Sequence, residues 1–119
     1  MFSYDQLTGV LTQDGRFLGT GYSGLGAGKN RPDAQDVPDV GPIPRGAYNI
    51  GAPFESIEHG PFAMHLDPVP GNEMFGRSGF LMHGDSLEHP GAASEGCIIM
   101  PRAVREAVNA STDRRLAVV

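Results

Sequence analysis

The sequence predicts a mainly β fold with one short helix near the C terminus. Three observations favour it: short apolar runs recur between turn residues, the 17 Gly and 10 Pro are dispersed among those runs, and helical periodicity is confined to one segment. A chain of 119 residues has the size of one domain. We therefore expect a single domain over residues 1–119, built as a small β-sandwich or a curled mixed sheet with long Gly/Pro-rich loops.

The first twenty residues alternate apolar and polar side chains. The pairs Thr8-Gly9 and Asp14-Gly15 are turn signals within this alternation and predict a β-meander. Residues 21–45 are rich in Gly, Pro and Asp, and a segment of this length without regular structure is typical of a functional loop in a small domain. We expect this loop to lie over a cleft.

The rest of the chain is predicted to form short strands bounded by Gly or Pro. A further apolar run lies at 97–100. The strands are expected at Tyr48–Ile50, Phe62–Asp67, Phe80–His83 and Arg115–Val119. A helical pattern replaces them between Pro101 and Ala110. Pro101 suits a first helical position, and Val104, Ala107 and Val108 recur on one helical face.

Charge and hydropathy exclude two classes of partner. The formal net charge of -5, without a Lys/Arg cluster, argues against binding to a phosphate backbone. No segment approaches the ~20 apolar residues of a membrane span, and the first residues lack the basic and apolar regions of a signal peptide. We expect no nucleic-acid partner, no membrane insertion, and synthesis in the cytoplasm without a signal peptide.

Two reactive side chains stand at the ends of apolar runs. His83 ends the run from Phe80, and Cys97 begins the run to Met100, so the two meet if these runs are neighbouring strands. An imidazole that accepts the proton of a thiol turns the thiol into a good nucleophile. The sequence thus predicts Cys97 as a nucleophile and His83 as its base.

Residues beside this pair have predicted supporting roles. Gly96 permits a tight turn and is expected to leave the N–H groups of Gly96 and Cys97 free to bind an oxyanion. Ser94 would brace this turn or His83 by hydrogen bonding. Either the Gly84 carbonyl or the Asp85 carboxylate would orient the imidazole, and the sequence leaves both open.

These motifs resemble the YkuD-like catalytic signature of L,D-transpeptidases. His83-Gly84 is followed by Ser94-Glu95-Gly96-Cys97-Ile98, with Cys97 placed 14 residues after His83 (97 minus 83), and the segment 44–50 resembles the strand entry of those domains. The resemblance implies that the histidine is the base and the cysteine the nucleophile. It also implies that residues 1–119 form an L,D-transpeptidase-like catalytic domain.

Further segments resemble one branch, the L,D-transpeptidase-like toxin effectors of type VI secretion systems. They are Tyr22-Ser23-Gly24, Gly28-Lys29-Asn30, 40–46, 76–80 and His83-Gly84-Asp85. The resemblance implies an antibacterial enzyme that acts on peptidoglycan tetrapeptide stems in the periplasm of a target bacterium, by L,D-carboxypeptidase cleavage or by exchange of the terminal D-amino acid. It implies no cofactor, and it implies the type VI secretion apparatus and a cognate periplasmic immunity protein as partners.

The sequence departs from the housekeeping pattern at two positions. Glu95 replaces the histidine of the common Ser-His-Gly-Cys form, and Ile99 stands where an arginine is often found. Another group must then bind the carboxylate of the substrate, for which a guanidinium fork is well suited. The predicted substrate-binding residues are Arg77, Arg102, Lys29, Tyr22 and Asn30.

Two alternatives remain open. A zinc peptidase would hold its metal with three protein groups and an open position; the available ligands are His65, Asp67, His83, Asp85, Glu88 and His89. The other alternative is a binding module, associated with secretion or a phage tail, that keeps the fold without turnover. We expect no metal, and we expect His59 and His89 to be ordinary surface residues and His65 to lie on a strand.

Overall fold

A computed structural model describes residues 1–119 and contains one mixed sheet of nine strands and one α-helix. The strands run in the order β3-β2-β1-β9-β5-β6-β7-β8-β4. Their bounds are β1 Phe2–Tyr4, β2 Val10–Gln13, β3 Arg16–Thr20, β4 Tyr22–Ser23, β5 Gly46–Ser56, β6 Gly60–Pro68, β7 Leu81–His83, β8 Ile98–Ile99 and β9 Arg115–Val118, and the helix α1 is Arg102–Ala110.

The sheet is curled so that its two edges meet. β3 lies at one edge and β4 at the other, yet only Gly21 separates Thr20 from Tyr22 along the chain. A side chain at Gly21 would not fit, because a Cβ there would lie 1.7 Å from the carbonyl oxygen of Ile99. The predicted mainly β fold with a curled mixed sheet is confirmed.

Most predicted strands are present, some with different bounds. β1, β2 and β3 form the expected antiparallel meander, and β1 also pairs in parallel with the last strand, β9. The β5–β6 hairpin is longer than predicted, since β5 continues past Pro53 through a register shift between Ile50 and Pro53. The short strand β4 was not predicted, because it lies inside the Gly/Pro-rich segment 21–45.

The helix packs on the sheet through Val104 and Val108, as the pattern predicts. The prediction for Ala107 is wrong: its side chain is exposed, and Arg105 is buried in its place. Burial is possible because the Arg105 guanidinium donates hydrogen bonds to the carbonyls of Met100, Pro61 and Phe62. Pro101 caps the helix instead of being its first residue.

The parallel pair β7–β8 brings together the two chain segments that carry the reactive residues. Met82 lies opposite Ile98 and His83 opposite Ile99, and both Met82 and Ile98 are fully buried in the core. This apolar pair anchors the two strands firmly. No helix in the structure has the length and apolar character needed to cross a membrane.

Candidate active site

Cys97 lies in a bend directly before β8 and lines a cleft of about 460 Å³. The predicted roof over this cleft is supplied in part, since Leu25, Pro38 and Asp39 from the loop 21–45 contribute to its wall. The Cys97 sulfur accepts a hydrogen bond from the Leu81 N–H at 3.3 Å. Burial raises the pKa of the thiol, and the Leu81 N–H offsets this only partly.

Ser94 holds the turn that carries Cys97. Its hydroxyl accepts hydrogen bonds from the N–H groups of Gly24 (2.9 Å) and Gly96 (3.0 Å) and donates one to the Cys97 carbonyl (2.6 Å). Ser23 adds a fourth bond, from its hydroxyl to the Gly96 carbonyl at 2.8 Å. The expectation that the Gly96 N–H is free for an oxyanion is therefore wrong, because Ser94 occupies it. The Cys97 N–H makes no hydrogen bond within the chain.

Gly96 cannot be replaced without strain. Its φ of +145° lies in a region that L side chains rarely adopt. A Cβ there would also lie 2.6 Å from Nη2 of Arg77 and 2.8 Å from Cε1 of Phe80. The turn before the thiol thus depends on a glycine for both its conformation and its space.

His83 ends β7 with its side chain almost completely buried. Its Nδ1 lies 2.8 Å from the Gly84 carbonyl oxygen. Because a carbonyl only accepts hydrogen bonds, Nδ1 carries the proton and Nε2 has the free lone pair of a neutral ring. Burial lowers the pKa of His83 to about 4, so the ring is neutral at pH 7. Nε2 is buried without a hydrogen-bond partner.

Asp85 does not orient the His83 ring; the Gly84 carbonyl makes the contact to Nδ1. The Asp85 carboxylate accepts hydrogen bonds from the Tyr22 hydroxyl at 2.6 Å and from the N–H groups of Ser86 and Gly91. Although partial burial opposes ionisation, these hydrogen bonds hold the pKa of Asp85 below its usual value. Asp85 therefore fixes the loop that follows β7.

The thiol and the imidazole are near each other in the ladder but are not hydrogen-bonded in this structure. Since Met82 lies opposite Ile98, Cys97 falls opposite Leu81, two residues before His83. Strand spacing and rise then place the Cα atoms of Cys97 and His83 about 8 Å apart. The Cys97 S–H has no acceptor, and His83 Nε2 has no donor.

Arg77 lines the cleft, but both of its Nη atoms already donate hydrogen bonds within the chain. Nη1 donates to the carbonyls of Gln35 and Pro42, and Nη2 to those of Gly41 and Glu95. The side chain is buried and fastens the loop 21–45 to the turn before Cys97. Arg77 therefore has no free pair of N–H groups for the substrate carboxylate that it was predicted to bind.

The other four predicted substrate-binding residues lie outside the lining of the Cys97 cleft. The Lys29 ammonium sits 4.4 Å from the centre of the Tyr22 ring. The Tyr22 hydroxyl joins Asp85 to the Ala93 N–H, and the Asn30 side-chain oxygen accepts from the Ser23 N–H. Arg102 is exposed, 3.6 Å from Glu106, and stacks on Phe62. Each of these contacts ties loops or helix turns together, which the sequence pattern could not distinguish from substrate binding.

The residues proposed for the zinc alternative do not form a metal site, because no three His, Cys, Asp or Glu side chains are close enough together to hold a metal ion. His65 lies on β6, as expected, and its ring stacks on Phe54 with centroids 4.5 Å apart. Glu88 and His89 are exposed in the loop after β7.

His59 is a residue of this region that sequence reasoning missed. It was expected to be an ordinary surface residue, but its ring stacks on the ring of His83, with centroids 4.1 Å apart and an interplanar angle of 19°. His59 belongs to the turn between β5 and β6, far in sequence from the two motifs that contain His83 and Cys97. No local motif marks it, because the contact arises only from the register of the β5–β6–β7 ladder.

Comparison with known proteins gives a family for this chain. Residues 19–119 match the family described as the Tlde1 domain. No curated protein matches the chain. Members of the family are peptidoglycan-modifying effectors, and membership implies the secretion apparatus and an immunity protein as partners. The match covers far more than half of the chain, which therefore belongs to the Tlde1 domain family of antibacterial effectors of type VI secretion systems.

Proposed function

We propose that this effector is a cysteine-dependent L,D-carboxypeptidase or D-amino-acid exchange enzyme that acts on peptidoglycan tetrapeptide stems in the periplasm of a target cell. One observation carries the proposal. A cleft-lining thiol without an acceptor lies two ladder positions from a buried, neutral imidazole nitrogen without a donor. A buried polar atom without a hydrogen-bond partner is uncommon in folded proteins, and a catalytic role is one explanation for it.

The first half-reaction forms a thioester. The Cys97 sulfur attacks the carbonyl carbon at the L-centre of the third stem residue, and its proton moves to Nε2 of His83. This transfer requires the Cys97 side chain to turn from the Leu81 N–H towards His83, in keeping with catalytic hydrogen bonds that tighten only in the substrate complex. The C–N bond to the terminal D-residue then breaks, and the imidazolium returns the proton to the departing amine.

The second half-reaction releases the stem. Water, or the amine of another D-amino acid, attacks the thioester carbon and gives a proton to Nε2. The C–S bond breaks, and the proton passes back to the Cys97 sulfur. During both attacks the Cys97 N–H, which has no partner in the chain, is available to the oxyanion; one such donor contributes about 3 kcal/mol in known enzymes.

The electrostatics of the pair favour neutral groups at rest. Burial raises the pKa of the Cys97 thiol, while burial lowers the pKa of His83 to about 4. A preformed thiolate–imidazolium pair is therefore disfavoured at pH 7. Proton transfer accompanies attack on the substrate, which limits reaction of the thiol with other electrophiles.

Mass spectrometry of muropeptides tests the proposal. Purified tetrapeptide muropeptides are incubated with the wild type, Cys97→Ala, His83→Ala and the exposed control His89→Ala, with and without a D-amino-acid acceptor. The wild type and the control should release or exchange the terminal D-residue, and the two site variants should do neither while keeping their circular dichroism. Full activity of Cys97→Ala, or loss of wild-type activity with a chelator, would refute the mechanism.

Toxicity tests the proposed compartment. Because the substrate lies in the periplasm, expression directed there should lyse or deform cells, and cytoplasmic expression should not. Harm of equal size in both compartments would point to a different target. Cys97→Ala directed to the periplasm is the matched control and should be harmless.

A further inference from the structure

The His59 ring covers one face of the His83 ring. The two rings are nearly parallel, with centroids 4.1 Å apart. His83 is 1% exposed, whereas the His59 side chain is 31% exposed. His59 also lines both the Cys97 cleft and the neighbouring recess that contains His83. Its ring therefore packs on the buried imidazole and also borders both cavities.

The position of His59 is fixed by its turn. The Ser56 hydroxyl accepts a hydrogen bond from the His59 N–H at 3.1 Å, and Gly60 takes a φ of +82° as the chain enters β6. β6 pairs with β7, so the turn and His83 belong to one ladder. The Nε2 atom of His59 lies 3.8 Å from a Glu58 carboxylate oxygen at the surface.

We propose that His59 is a positioning residue for His83: its ring packs over the imidazole, holds the ring plane in place, and shields one face of the ring from bulk solvent. This inference rests on the proposed role of His83 as the base. His59 would act by its flat, stacked shape. The hydrogen-bonding capacity of its nitrogens is not required, because parallel stacked rings do not exchange a hydrogen bond.

Two features of His83 explain why such a cover matters. Its only ring hydrogen bond is at Nδ1, so a single contact leaves the ring free to tilt unless something packs on its face. Its neutrality depends mainly on burial. The charged and titratable groups that face it are His59 from the hairpin turn, Arg105 from α1 and Asp85 from the following loop, while the recess is further lined by Glu58, Glu88 and His89.

Removing the cover should change catalysis in a recognisable way. His59→Ala would expose His83 and move its pKa from about 4 towards the ordinary value near 6.5. With a pKa of ~6, only ~10% of the rings would be neutral at pH 5, against ~90% with a pKa of ~4. The acidic limb of the pH–rate profile should therefore move to higher pH. At pH 7 the loosened ring should lower kcat by about 10-fold to 100-fold. The loss should appear in kcat far more than in KM, since His59 is proposed to act through the His83 ring.

The matched variant His59→Phe keeps a flat ring over His83 and removes the nitrogens. It should retain the wild-type kcat and pH profile. If His59→Phe is as slow as His59→Ala, His59 acts through its nitrogens and the positioning role is wrong. If His59→Ala keeps the wild-type kcat and pH profile, the inference is wrong as well.

NMR titration of the His83 ring separates this inference from the proposed function, because it needs no turnover. The His83 ring signal is identified by its loss in His83→Gln, and it is followed with pH in the wild type, His59→Ala and His59→Phe. The pKa of His83 should rise by about 1 unit or more only in His59→Ala, because burial shifts pKa values by amounts of this order. An unchanged pKa in His59→Ala overturns the inference, whereas activity in Cys97→Ala overturns the proposed function alone.

Discussion

Replacing Ser94 by alanine should lower the stability of the protein far more than the loss of a single hydroxyl group suggests. The change removes one hydroxyl that accepts from Gly24 and Gly96 and donates to the Cys97 carbonyl. The hydroxyl is buried, so water does not replace these partners. At about 1 kcal/mol for each of the three polar groups left without a partner, the free energy of unfolding should fall by about 3 kcal/mol.

Urea unfolding measures this loss. With a slope of ~1.5 kcal/mol per M, the midpoint should drop by about 2 M. Ser86→Ala is the matched control, since the Ser86 hydroxyl accepts a single exposed hydrogen bond from the His89 N–H; it should cost less than about 1 kcal/mol. Equal midpoints for Ser94→Ala and Ser86→Ala would refute the view that Ser94 is the clamp of this turn.

Three further predictions concern the charged and titratable groups. Arg77→Lys should lower the free energy of unfolding by about 2–4 kcal/mol and speed amide exchange in the loop 21–45, while the control Arg102→Lys should do neither. If Arg77→Lys instead raises KM and leaves stability unchanged, Arg77 is a substrate ligand. Because the pKa of His83 is about 4 when folded and ~6.5 when unfolded, the unfolded chain binds more protons between these values, so stability should fall by about 3 kcal/mol from pH 6.5 to pH 4. His83→Gln should remove this dependence of stability on pH, and His89→Gln should not. If denaturant titrations show that the stability of the wild type is the same at pH 6.5 and pH 4, the His83 ring is not buried and neutral. Iodoacetamide should alkylate Cys97 slowly at pH 7 and faster up to and beyond pH 9, since the pKa of the thiol is raised; a plateau below pH 8 would contradict that direction.

Local pattern predicted most of the fold. The turn pairs within the first twenty residues marked the meander, and the i, i+3, i+4 pattern marked α1. Pattern failed where a tertiary contact reversed a local preference. Arg105 is buried because three carbonyls surround its guanidinium, and β4 forms because β8 offers it an edge. Two of those carbonyls, of Pro61 and Phe62, are far from Arg105 in sequence, as β8 is from β4.

The same limit applies to the site. The sequence marked Cys97, His83, Ser94 and Gly96, because they are close together in two short motifs. It could not show that Ser94 occupies the Gly96 N–H, since that depends on the folded turn.

Long-range contacts explain the remaining errors. Arginine suits both a substrate carboxylate and a set of backbone carbonyls, so only the structure could show that Arg77 has the second kind of partner. His59 reaches His83 by strand register, for which a single sequence gives no signal.

The proposed mechanism passes through a thioester on Cys97, which intact-protein mass spectrometry can detect. The protein is mixed with a purified tetrapeptide muropeptide and quenched in acid within the first turnovers. The mass of the protein should increase by that of the muropeptide without its terminal D-residue, less the mass of water. The added mass should lie on the peptide that contains Cys97 and be absent from Cys97→Ala. Release of the terminal D-residue by Cys97→Ala at the wild-type rate, with no adduct on either protein, would contradict it.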